Sequence, residues 1–151
     1  MRVAPICLLA ALTAFASEAG ERVSRENHGS SKERAWRFSD DRSFWVSESY
    51  GMATMKEGPL SDEPFECHGS GFSGATYNRG DGICVFGVAP DTYVWKWTAS
   101  EGRANDWEII DAAGKYQGMT GSGVVASRPV ANRQPMAQRV HIWSGEINLP
   151  D

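Results

Sequence analysis

Runs of basic residues are missing from this chain. Lysine and arginine number 15 against 19 aspartates and glutamates, a net charge of −4, and the one local concentration, Arg22 to Arg34, is set among Glu21, Glu26 and Glu33. No surface suited to a polyanion follows from that pattern, so nucleic acid is excluded as a partner. Long hydrophobic runs are also missing. The longest apolar stretch, Ile6 to Phe15, is shorter than a bilayer requires, which excludes a membrane-spanning helix. Histidine is scarce: His28, His68 and His141 are the only three, and the sole histidine with a close sulfur neighbour is His68, beside Cys67. That spacing does not build a metal site, so no metal is expected. The pattern specifies no oligomeric state.

Cysteine is the next scarcity, with three in the chain. Cys7 lies in an N-terminal segment where Arg2 precedes the apolar run and Ala14-Phe-Ala16 closes it with small residues at the spacing read by signal peptidase. Residues 1–16 are therefore expected to be a signal peptide, and the protein an exported one, periplasmic or extracellular. Its removal leaves an even pair, Cys67 and Cys84, in an oxidising compartment. A disulfide between them is the expectation, with a free Cys84 thiol as its rival. The bridge would close a loop worth about 3 kcal/mol in the chain-entropy account.

Helical periodicity is absent throughout, and short strand patterns take its place. Residues 17–35 are polar and aperiodic, which reads as a flexible leader, so the folded domain is expected over residues 36–151. Within it, Thr92-Tyr-Val-Trp-Lys-Trp-Thr98 places Tyr93, Trp95 and Trp97 on one strand face at period two. Arg139 to Ile147 carries apolar groups on both faces. Further strands are expected at Ser43–Tyr50, Met52–Lys56, Glu66–Ser73, Gly82–Val88, Asn105–Ile110 and Gly121–Ser127. Between them lie turn clusters such as Asn78-Arg-Gly-Asp-Gly82 and Ala112-Ala-Gly114. About eight short strands define an all-β fold, and the 16 glycines favour a closed antiparallel up-and-down barrel over a sandwich.

The segment Gly114-Lys-Tyr-Gln-Gly-Met-Thr-Gly-Ser-Gly-Val-Val125 invites a phosphate-loop reading that its context removes. Lys115 precedes the glycines that it should follow, and a strand continues where a helix is needed. Together with Trp107-Glu-Ile-Ile110 before it and Val140-His-Ile-Trp-Ser-Gly-Glu146 after it, this segment resembles the allene oxide cyclase and dirigent-like β-barrel superfamily, in particular its secreted bacterial members. Asp111-Ala-Ala-Gly114 stands where that family has its opening glycines, and Gly82-Ile-Cys-Val85 is similar to a cyclase strand. The likeness covers Phe65 to Pro150. It implies an eight-stranded barrel with an aromatic interior and no metal or dissociable cofactor. For the cyclases it further implies a carboxylate on an early strand, a place that Glu48 would take, and a pocket cysteine, a place taken by Cys84.

Two functions are then in view. One is a non-catalytic barrel that holds one small apolar molecule among Tyr93, Trp95, Trp97, Trp45, Trp107 and Trp143. The other is a cofactor-free cyclase or isomerase that uses Glu48 as an electrostatic stabiliser. The Gly-Ser-Gly triplets at 69–71 and 121–123 lack the strand-turn-helix setting of a hydrolase nucleophile and read as bends.

Overall fold

The computed structural model describes residues 20–75, 77–99, 105–129 and 137–150. Nearly all of them lie in eight strands: β1 (Glu21–Ser39), β2 (Arg42–Glu57), β3 (Glu63–Gly74), β4 (Tyr77–Val88), β5 (Asp91–Ala99), β6 (Asn105–Ala112), β7 (Thr120–Pro129) and β8 (Ala137–Asn148). A single 3-10 turn, Gly114–Tyr116, interrupts them among the described residues. Each strand pairs antiparallel with the next, and β1 closes the ring on β8, from Glu21 opposite Ile147 to Ser31 opposite Ala137. The chain is therefore a closed up-and-down barrel, as its strand spacing predicts.

The expected signal peptide and residues 17–19 lie outside the described residues. The rest of the expected leader does not: residues 21–39 form β1, the longest strand, paired on both sides over much of its length. The reason the pattern conceals it is physical. Inward positions on β1 are Val23, Arg25 and Asn27, all buried, followed by Ser31 and Glu33 on the wall of an internal chamber. A strand whose inward side chains are polar has no apolar alternation to read. Trp36, where the sequence pattern starts the domain, is 47% exposed. It stacks on Phe44 at 5.9 Å, Phe44 lies 5.2 Å from Phe72, and Phe38 meets Phe72 edge-on at 6.1 Å, a ladder on the outside of β1 to β3.

Two further boundaries shift. Asn78-Arg-Gly-Asp-Gly82 belongs to β4 and is not a turn, and the two strands expected at 43–50 and 52–56 are one, β2, running through Gly51. Glycine punctuation misleads here because these glycines serve close packing inside strands instead of chain reversal.

The core occupies the end of the barrel where the β2–β3, β4–β5 and β6–β7 connections meet. Leu60, Tyr116 and Met119 from those connections are buried there, with Leu149 packed against them, and they close that end. Trp95 at its centre has no exposed surface, and its ring lies 4.0 Å from Trp107, 4.9 Å from Phe86 and 5.1 Å from Trp143. Burial of such side chains contributes about 1.5–3 kcal/mol each.

Cys67 and Cys84 stand directly opposite each other on β3 and β4 and are joined by a disulfide. The bridge points inward and staples two strands whose hydrogen-bonded ladder already holds them. Replacing both cysteines by serine should lower the unfolding free energy by about 2–4 kcal/mol in a urea titration, with the barrel still formed. A loss of strand signal in the far-ultraviolet spectrum would contradict this.

Candidate functional site

The barrel interior is divided across its axis into a filled half and an open half. The filled half contains a buried charge. Arg25, with no exposed surface, lies with its guanidinium carbon 3.7 Å from the centroid of the Phe86 ring and 4.5 Å from that of Trp95. Its Nη1 donates to the Tyr93 hydroxyl, and its Nε donates to Asn27 Oδ1 at 3.3 Å. The Tyr116 hydroxyl in turn donates to the buried Glu63, whose carboxylate also acts electrostatically on Tyr93. A guanidinium and a carboxylate thus each bond a phenol at the bottom of the barrel, and the two phenol rings meet edge-on at 4.9 Å.

Burial pushes the Arg25 pKa down, and the electrostatic pull of Tyr93 and Glu63 opposes that. Burial is also the main cause that raises the Tyr93 and Tyr116 hydroxyls above their ordinary value of 10, and Glu63 adds to it for both.

The open half is a chamber of about 320 Å³ reached from the opposite end, where the β1–β2 and β3–β4 hairpins turn. That volume lies at the lower limit of small-molecule pockets. Its floor carries Asn27, the Cys67–Cys84 bridge and Trp143, and its walls carry Trp45, Trp97 and Val125. Apart from Ala99, Gly69 and the backbone level of His68, the remaining lining is polar: Ser31, Ser47, Ser49 and Ser73 on β1 to β3, Asn78 and Asn105 on β4 and β6, Ser127 and His141 on β7 and β8, and Glu33 on β1. Ser127 Oγ and His141 Nδ1 are hydrogen-bonded at 2.8 Å.

The chamber stays open because of four glycines. Gly69 pairs with Gly82 and Gly71 with Gly80, which leaves a patch of wall without side chains. The indoles of Trp45 and Trp97 rest in that recess, nearly parallel at 5° with centroids 6.4 Å apart. A Cβ on Gly71 or Gly80 would come within 2.6 Å of Trp45 Cζ2, one on Gly82 within 2.6 Å of Trp97 Cζ2, and one on Gly69 closer still. Any side chain there would drive the rings into the chamber. Gly123 and Gly145 form a similar bed for Trp107, whose Nε1 donates to the Ser144 carbonyl at 3.2 Å.

Of the six aromatic residues expected around a pocket, Trp45, Trp97 and Trp143 line the chamber. Tyr93, Trp95 and Trp107 do not; they are buried and packed ring against ring in the filled half. Glu48 lies on the outer wall, exposed, opposite Lys32 and His68 in the strand register. It is not brought to the chamber, and Cys84 has no thiol to offer. No group of three or more histidine, cysteine, aspartate or glutamate side chains among the described residues could hold a metal ion. His68 instead pairs with Glu66 at 2.8 Å on the outside.

The residues that pattern reading misses are Arg25, Asn27, Glu63 and the wall serines. Their only signal is their spacing, since Arg25 and Asn27 continue the period-two face begun by Val23. Comparison of the chain with protein-family models, with curated proteins and with solved structures finds no match.

Two outcomes follow from the buried cluster. Removing one partner strands the other, so Arg25→Met and Glu63→Gln should each cost about 3–5 kcal/mol of stability, while the double variant loses less than their sum. A chemical-denaturation cycle with additive losses would show that the groups are uncoupled. The second concerns pH. The unfolded chain releases its phenol protons near pH 10 and the folded chain retains those of Tyr93 and Tyr116, so their contribution is complete below pH 10 and is lost as pH rises above it. Phenolate absorbance at 295 nm should therefore show these two tyrosines ionising only as the barrel unfolds, which Tyr93→Phe would reveal as a reduced amplitude in that final step.

Proposed function

We propose that this protein is an exported, non-catalytic barrel that holds one small molecule in its open half. The observation that carries this reading is the contrast between the two halves. One is packed with rings and plugged by Leu60, Tyr116 and Met119, whereas the other keeps about 320 Å³ clear by means of a glycine bed that draws two tryptophans back against the wall. A barrel that needed only a core would fill both. The aromatic side of the chamber, Trp45, Trp97 and Trp143, supplies the surface for an apolar ligand face. The disulfide is compatible with export.

The family likeness of residues 65–150 supplies the competing reading, a cyclase of the allene oxide type. Such chemistry calls for a carboxylate and, in the cyclases, a cysteine beside the substrate. With Glu48 on the outer wall and Cys84 bonded to Cys67, the binding reading has the better support.

Native mass spectrometry of the protein taken from its exported fraction tests this directly. A non-covalent mass that disappears on denaturation is the expected result. The two classes of tryptophan should then separate: Trp97→Ala should weaken retention about tenfold, equivalent to about 1.4 kcal/mol, with the fold kept. Trp95→Ala should instead cost about 3–5 kcal/mol of stability. Equal effects of the two changes on stability, with no effect on retention, would remove the chamber as the ligand seat.

A further inference from the structure

We propose that the ligand is a neutral saccharide unit, one or two rings in size, with the plane of a sugar ring against Trp97 or Trp45 and its hydroxyls on the serine and asparagine wall. The inference rests on the chamber being a ligand seat and names the chemistry that the seat selects.

Charge is the first constraint. Among the described residues no lysine or arginine lines the chamber, and the titratable residues that do are Glu33, His141 and His68, the last with its imidazole paired to Glu66 on the outside. An anionic ligand would meet no lysine or arginine among these described residues, and a strongly apolar one would meet the wrong wall. Ser47 and Ser49 line the chamber with hydroxyls that take no partner from the described residues, and burying them under hydrocarbon leaves donors and acceptors unsatisfied. Serine hydroxyls and asparagine carboxamides each both donate and accept. Sugar hydroxyls do the same, so the two sets pair without a net charge on either side.

Asn27 gives the second constraint. It is 1% exposed and sits on the chamber floor, with its side-chain oxygen facing Arg25 Nε. Arginine can only donate, so the atom that faces it must be the carboxamide oxygen, and the amide nitrogen is turned away as a donor. Arg25 is itself held against the adjoining rings of Phe86 and Trp95. The floor therefore presents an orientation-locked donor, held from below, to an acceptor oxygen on the ligand.

The third constraint is the aromatic wall. A pyranose has a face of C–H groups and a rim of hydroxyls, and an indole beside serines complements both. Trp45, Ser47 and Ser49 follow one another at period two on β2 and Trp97 stacks on Trp45, so indole and hydroxyls line one chamber, whose volume suits one or two such rings.

The test titrates the full chain with glucose, N-acetylglucosamine and their β-linked disaccharides, with glucuronate as the charged comparison and 1-anilinonaphthalene as the apolar one. Indole fluorescence and saturation-transfer NMR read the binding. A neutral sugar should saturate the protein and bind at least tenfold more tightly than glucuronate. The Kd should rise at least tenfold in Trp97→Ala and in the Ser47→Ala/Ser49→Ala double variant, with thermal melting close to that of the parent. Should Trp97→Ala fail to fold, the serine variant alone decides the matter, since it removes two hydroxyls and no packing. If 1-anilinonaphthalene binds in the chamber and the sugars do not, the saccharide assignment falls while the chamber remains a ligand seat. If no probe binds and the native protein carries no mass, both fall together.

Discussion

Arg25 brings a positive charge into the middle of the barrel with none of its surface exposed, and the filled half is arranged around it. Desolvating a guanidinium costs several kcal/mol, so the site must return that energy through close contacts of the right kind. It does so with two adjacent ring faces, a phenol oxygen and a carboxamide oxygen in hydrogen-bonding positions, and Glu63 beyond the phenol. Because four strands, β1, β3, β4 and β5, contribute to this arrangement, it fixes their registers relative to one another. A one-residue slip on β1 would turn Arg25 out to solvent and leave Tyr93 and Glu63 without a counter-charge.

The same residue connects the halves. Its Nε sets which way the Asn27 carboxamide faces, so the order of the packed end is transmitted to the floor of the open end through one hydrogen bond. Above that floor the design principle changes from filling space to keeping it clear. Large rings are retained but displaced onto glycine, and the side chains between them are short and polar. A rigid lower half and a pre-shaped upper half are what a small barrel requires if it is to bind without rearranging.

How much of this the sequence discloses depends on what faces inward. β5 is legible because Tyr93, Trp95 and Trp97 alternate with smaller or polar residues, and β8 because apolar residues recur on it. The pairing of Cys67 with Cys84 is legible from compartment and count. β1 is not, because Arg25, Asn27, Ser31 and Glu33 look like the solvated face of an unstructured segment although they line the interior. Periodicity also gives the face of a strand and not its height along the barrel axis. Tyr93, Trp95 and Trp97 share a face, yet the first two are core and the third lines the chamber. Nothing local distinguishes them; the difference is set by what the other strands place at each level. The glycine triplets fail for a related reason, since a glycine that admits a ring from a neighbouring strand is written no differently from one that bends the chain.

Ring closure by β1 and β8 has a consequence for how the molecule is made. Of the eight described strands β1 is synthesised first and β8 last, so the edge of β1 that finally meets β8 stays unpaired until β8 is available. Such contacts, from Glu21 to Ile147, are the most distant in sequence that the fold contains, and they form slowly. An apolar strand left waiting with an open edge would recruit other chains. The charged and hydroxyl side chains that make β1 hard to recognise also make it a poor template for such pairing. One composition thus serves the finished interior and protects the chain during assembly.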